Sequence, residues 1–288
     1  LPWGWARCCS RATFIKAKKG ACCWLSAVSS GSHRVSLDPT GSFHLLIHGK
    51  ILHGRQSLDP ARRREPLTYY HRTGPIGQVL AQYGQAPQER IAVVGLGAGT
   101  LACYAQRGQS WTYYEIDPVV LKIARDERFF TFLRDSPGDI RVVLGDARLS
   151  LVSAPPQNFD LLIMDAFSSD AIPVHLVTRE ALALYLRKLA PHGILAFHIS
   201  NLHLDLEPVF AALAHDAGLA SLIRDYTEVS PAERAAGKSP SIWLVMTREA
   251  DDLAALARDR RWQLPRRREG QTVWTDDHSS LLSAFRWR

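Results

Sequence analysis

The chain has 288 residues, 46% of them hydrophobic and 22% charged, which is enough to bury a sizeable core and excludes a disordered chain. Its net charge of +7 suggests nucleic acid until it is located: residues 1–37 carry Arg7, Arg11, Lys16, Lys18, Lys19 and Arg34 with no acid, and the remaining 29 bases face 28 acids. Nucleic-acid binding is therefore not expected, and no apolar run approaches the ~20 residues that cross a bilayer.

Residues 1–33 read as a basic leader or linker. Cys8, Cys9, Cys22 and Cys23 stand in vicinal pairs, not in the Cys-x-x-Cys spacing that a zinc site wants. The missing initial Met suggests a fragment, with room for a membrane segment upstream. Residues 34–68 read as a small antiparallel β domain. Arg34–Leu37 and Phe43–Ile47 flank the turn cluster Asp38-Pro-Thr-Gly41, and Ile51–His53 follows the break at Gly49-Lys50. The Arg-rich block from Asp59 to Glu65 reads as a solvated loop.

Residues 69–288 read as a single α/β domain. Ile91–Val94, Trp111–Tyr114, Ile140–Leu144, Phe159–Met164, Gly193–Ile199 and Ser241–Thr247 are short apolar runs, as expected of strands covered on both faces. Helical stretches are expected at Arg179–Leu189, Leu206–Ala217 and Leu253–Arg258. This is a Rossmann-like, mostly parallel sheet preceded by a small antiparallel one. Cys103 falls in an expected helix as a small buried hydrophobe.

The sharpest motif is Val93-Val94-Gly95-Leu96-Gly97-Ala98-Gly99-Thr100, where a strand runs into glycines and then a helix. Gly95, Gly97 and Gly99 let backbone approach a ligand at a helix N-terminus, or simply make the turn. The spacing is not the G-x-G-x-x-G of a dinucleotide site. Three acids follow at the ends of successive strands. Glu115, 20 residues after Gly95, suits two ribose hydroxyls; Asp146, in Leu144-Gly145-Asp146-Ala147, suits an adenine amino group; Asp165 ends Leu162-Ile163-Met164-Asp165. Each could instead cap the helix after it, although three in register after a glycine loop favour a nucleoside site.

With those residues in place, the chain resembles the polyamine aminopropyltransferases, the spermidine synthase family, and within it the bacterial branch fused to a transporter-like membrane segment. Carrying the resemblance are Leu46-Ile47-His48-Gly49-Lys50, Tyr69-Tyr70-His71, Gly74-Pro75-Ile76-Gly77, the glycine loop, Glu115-Ile116-Asp117, Gly145-Asp146-Ala147, Asp165 to Asp170, and Trp274-Thr275-Asp276-Asp277. It implies the sheet of the class I S-adenosylmethionine methyltransferases and transfer of an aminopropyl group from decarboxylated S-adenosylmethionine, or a relative of it, to putrescine or a related amine. No prosthetic group or metal is implied. Asp165 would accept the amine's proton, and Asp170 would hold the amine on a covering loop. Tyr70 and His71 would line the amine channel; Gly95, Gly97, Gly99, Glu115, Asp146 and Ala147 would hold the donor. A homodimer and a cytoplasmic location, tethered to a membrane domain if one precedes the chain, are further expectations.

Two departures bear on the donor and the loop. Where the family carries an Asp against the donor's amine this chain has Ala98, and two extra residues separate Asp165 from Asp170. An S-adenosylmethionine-dependent methyltransferase and a non-catalytic nucleoside- or polyamine-binding domain are the alternatives. Tyr69 fits core packing as well as the channel, and Asp276 and Asp277 either touch the site or cap a helix. The scattered histidines have no H-E-x-x-H spacing, and core or surface roles are expected for them. Ser168-Ser169 lacks the G-x-S-x-G context of a nucleophile, and Arg258–Arg268 reads as a solvated face.

Overall fold

The computed structural model describes residues 13–16, 22–28, 31–49, 51–167, 172–201, 203–280 and 284–285. Five antiparallel strands come first, hydrogen-bonded in chain order: β1 (Thr13–Lys16), β2 (Cys22–Val28), β3 (Gly31–Leu37), β4 (Phe43–His48) and β5 (Ile51–Ser57). The segment read as a leader thus contributes β1 and β2. Between β3 and β4, Asp38 accepts the Ser42 and Phe43 N–H groups on one carboxylate oxygen and the Thr40 hydroxyl on the other, closing the hairpin. β5 runs four residues beyond the expected Ile51–His53, since the register shift between Leu46 and Ile47 lets its polar half keep pairing with β4.

The second sheet holds β6 (Arg90–Val94), β7 (Ser110–Glu115), β8 (Asp139–Leu144), β9 (Phe159–Met164), β10 (Leu189–His198), β11 (Ala220–Tyr226) and β12 (Ser241–Thr247). Their spatial order is β11-β12-β10-β9-β6-β7-β8. Strands β8, β7, β6, β9 and β10 are parallel, and β12 is antiparallel to both β10 and β11. This is the mostly parallel, methyltransferase-type sheet expected from the sequence. Helices α1 (Pro75–Tyr83), α2 (Pro118–Ala124), α3 (Ala147–Ser153), α4 (Arg179–Lys188), α5 (Glu207–Asp216), α6 (Pro231–Ala235) and α7 (Ala254–Ala257) complete the order. The expected helix at Cys103 is a single tight turn, Thr100–Tyr104, with the thiol buried.

The core lies on both faces of this sheet. Leu151, Leu182, Tyr185, Phe210 and Leu213 belong to the cluster on one face, and Ile76, Val79, Leu80, Val120 and Trp262 to the cluster on the other. Burying each such side chain is worth about 1.5–3 kcal/mol, so both helical layers are held in place and with them the loops at the strand ends. A third cluster, Val35, Leu46, Ala98, Cys103, Ile123, Phe130 and Phe132, joins the first sheet to the second.

Candidate functional site

The order of the parallel strands reverses at β6, whose neighbours are β7 on one side and β9 on the other. Open α/β sheets leave a crevice at such a point, outside the carboxyl ends of the strands. Gly95 follows β6 and Asp165 follows β9, so the glycine loop and the third acid meet at the crevice. Gly95 sits at φ +96°, and a Cβ there would lie 2.4 Å from the Asp165 carbonyl oxygen. Gly97, at φ +54°, is pressed against β5, since a Cβ would come within 2.8 Å of the His53 carbonyl oxygen. These glycines are required by packing on two sides, whatever ligand the loop also meets.

Glu115, the last residue of β7, is 7% exposed. Its two oxygens accept the Leu96 N–H at 2.9 Å and the Asp117 N–H at 2.8 Å. Burial raises its carboxyl above the ordinary range, and those N–H groups oppose the rise. Each carboxylate oxygen keeps a second lone pair, so two hydroxyls of a ribose can still be accepted. Beside it Ile116 is 67% exposed, an apolar surface on which a base can lie. Asp146 caps α3 through the Leu149 N–H at 2.9 Å, and its other oxygen stands 3.3 Å from His175 Nε2. Ala147 opens that helix and is buried.

Asp165 sits in a closed network. The Tyr70 hydroxyl donates to its Oδ2, and His198 Nδ1 lies 2.7 Å from its Oδ1, with both the Asp165 and His198 side chains 5% exposed. Burial and the Asp165 charge push the Tyr70 hydroxyl far above its usual value, so it stays protonated and donates. His198 Nε2 is 2.8 Å from Ser200 Oγ, and that oxygen also accepts the Ile242 N–H at 2.8 Å. The imidazole is stacked on Trp243 at 4.6 Å and 2°, with Tyr69 and Phe167 at 4.9 and 4.8 Å.

The sequence-derived residues do not all converge. Tyr70 and Asp165 touch, and Glu115 is tied to the glycine loop. His71 instead receives the Thr73 N–H on its Nδ1 at 3.2 Å. Asp276 forms a fork with Arg148 of α3 at 2.7 and 2.5 Å and accepts the Thr178 hydroxyl, fastening the tail beside Asp146. Asp170 lies outside the described residues, as do Ser168 and Ser169. Ala98 is 1% exposed and faces Gly54, where a Cβ would come within 2.3 Å of its own. His198 and Ser200 were missed by sequence reasoning. The one available signal was position: His198 ends its strand as Met164 ends β9. Among the described residues no cluster of three or more His, Cys, Asp or Glu could hold a metal ion.

No protein-family model matches the chain. A polyamine aminopropyltransferase of Vibrio vulnificus is 38% identical over 112 residues, 37% of this chain and 36% of that protein. The chain is similar to the spermidine synthase family. A probable spermidine synthase from Corynebacterium glutamicum superposes with a TM-score of 0.62 at 19% identity, over 89% of this chain and 97% of that one. The spermidine synthase from Thermotoga maritima gives 0.53 at 13% identity, over 92% and 84%. These likenesses carry the fold, the antiparallel sheet ahead of the methyltransferase-type sheet included. An N-terminal histidine N-methyltransferase of Emericella nidulans is 27% identical over 167 residues, 55% of this chain and 29% of that protein. The chain spans about a third of the length of these curated relatives.

Proposed function

We propose that the chain is a spermidine-synthase-like aminopropyltransferase using decarboxylated S-adenosylmethionine and putrescine or a related amine. The observation that carries this reading is the buried Asp165 carboxylate at the switch point, held by the Tyr70 hydroxyl next to the glycine loop. Alkyl amines are protonated at neutral pH, with a pKa of ~10.4 for a Lys-like amine, and a protonated amine has no lone pair with which to attack. In this reading an ammonium N–H donates to Asp165, the carboxylate takes the proton, and the freed lone pair forms a C–N bond to the carbon beside the donor's sulfonium. The C–S bond breaks with its electron pair going to sulfur, leaving a neutral thioether. Glu115 takes the ribose, Asp146 the adenine edge, and Asp170 the far end of the amine.

Methyl transfer from intact S-adenosylmethionine is the second reading, and Ala98 favours it. No carboxylate occupies the loop position that would select a cationic donor arm, and the histidine N-methyltransferase relative points the same way. The same nucleoside contacts and the same proton acceptor serve either transfer. Incubation with putrescine and each donor separates them by mass: an aminopropyl gain with the decarboxylated donor, abolished in Asp165→Asn, supports the first reading. A methyl gain with intact donor selects the second. No product from either donor rules out both for these substrates.

A further inference from the structure

His198 is buried, aromatic-stacked and joined to the carboxylate that takes the amine's proton in the transferase reading. A histidine kept only for packing has no reason to place a nitrogen 2.7 Å from a buried carboxylate. The carboxylate accepts there, so Nδ1 carries a hydrogen, and in the neutral imidazole Nε2 is then the acceptor. Ser200 fits that tautomer: its oxygen receives the Ile242 N–H, which leaves its own hydrogen free to be donated to Nε2. The chain of bonds runs from the β12 backbone through Ser200 and His198 to Asp165, and closes on Tyr70. The Trp243 ring, parallel to the imidazole, blocks rotation of His198 out of this line.

We infer that His198 is the positioning residue of Asp165, its Nδ1–H tautomer set by the carboxylate and accommodated at Nε2 by Ser200. His198 fixes one carboxylate oxygen and Tyr70 the other, so the carboxylate is held against rotation and its remaining lone pairs keep fixed directions. That is how a proton acceptor is pre-organised for an incoming ammonium. The inference rests on the transferase reading for its consequence in catalysis, but not for the tautomer or the bond.

Two measurements on the full chain test it. Long-range 1H–15N correlation spectra of the histidines report which nitrogen of His198 carries hydrogen. In the neutral imidazole Nδ1 should carry the hydrogen and Nε2 be bare, and Ser200→Ala should shift the Nε2 resonance. Hydrogen on Nε2 with Nδ1 bare overturns the assignment. For the kinetics, His198→Phe keeps a ring on Trp243 but removes the donor, whereas the amide nitrogen of His198→Asn occupies nearly the place of Nδ1. The Phe variant should lose about 100-fold in kcat with KM for the donor little changed, and the Asn variant should recover most of it. Equal losses in the two variants, or full activity in the Phe variant, overturn the positioning role. Thermal unfolding of both variants tells a folding defect from a kinetic one. If the wild-type chain transfers nothing from either donor, the transferase reading falls, while the tautomer still decides whether His198 holds Asp165.

Discussion

The Asp165 carboxylate has a protein donor on each oxygen, so removing one partner changes what remains. Tyr70→Phe keeps the ring and deletes the hydroxyl. A hydrogen bond to a charged group is worth about 1.5–3 kcal/mol, so kcat/KM should fall about 10- to 100-fold. Asp165→Asn should cost more, about 10²–10⁴-fold, since in the proposed reaction it removes the proton acceptor itself. A Tyr70→Phe variant as slow as Asp165→Asn, measured on the same amine, would mean that Tyr70 does more than hold the carboxylate. Gly95→Ala tests the loop beneath: φ +96° is strained for any side chain, and the new Cβ would lie 2.4 Å from the Asp165 carbonyl oxygen. A loss of about 1–3 kcal/mol or more in denaturant unfolding is expected; an unchanged midpoint would show that the loop can move away. Which acids end the strands was legible in the sequence, because apolar runs stop at them. What each carboxylate touches was not. Tyr70 is 95 residues from Asp165 and His198 is 33 away, so only the pairing of β9 with β10 makes neighbours of the latter two.

At the scale of elements, the doubly covered strands of the second sheet announced themselves as apolar runs, and most bounds agree within a residue or two. β10 begins at Leu189, four residues before its apolar run, because Leu189 pairs with Phe159 of β9 ahead of an irregular stretch through Pro191 and Gly193, and regular pairing resumes at Ile194. β11 was not legible, since Arg224 and Asp225 interrupt it; the buried Arg224 is accommodated by donating to Gln78 of α1, a contact that no local pattern shows. The first sheet carries a feature that no spacing rule covers. His33 on β3 stacks on His48 at the end of β4 with ring centroids 4.3 Å apart, and His53 on β5 lies tilted beside His48 at 5.7 Å. Burial, and then the neighbouring His48, lower the His53 imidazole to about 4 from an ordinary 6.5, with Asp165 opposing; the same two causes lower His33, with Asp117 opposing. A lowered histidine stays neutral in the fold while the unfolded chain takes up the proton. Stability from this source is therefore complete above pH 6.5 and is lost as pH falls from 6.5 toward 4. The fall in Tm between pH 7 and pH 4.5 should be smaller in His53→Gln than in the wild-type chain. An identical fall would remove His53 from the acid response.

At the scale of the whole molecule, the two sheets are fastened by polar and apolar contacts that converge near the glycine loop. Gln56 of β5, 3% exposed, donates to the Thr131 hydroxyl at 3.0 Å and accepts the Thr131 N–H at 2.9 Å, and His44 of β4 bonds the Phe129 carbonyl at 2.8 Å. Between them lies Ala98, packed among Cys103, Phe130 and Phe132 and facing the bare backbone of Gly54. The missing acid of the glycine loop is thus part of how the sheets join, and its absence cannot be repaired by one substitution. A carboxylate built at position 98 would start from a methyl group already in contact with Gly54, 1% exposed and clustered with Phe130 and Phe132. Burying an uncompensated charge is strongly destabilising, about 3–5 kcal/mol where a buried partner is lost. Ala98→Asp should therefore lose stability by that order in denaturant unfolding, and should not gain affinity for decarboxylated over intact S-adenosylmethionine in calorimetry. A stable variant with a switched donor preference would show that β5 can withdraw from the loop. Donor choice would then be set by how closely the two sheets pack, and Gly54 would become the position to vary next.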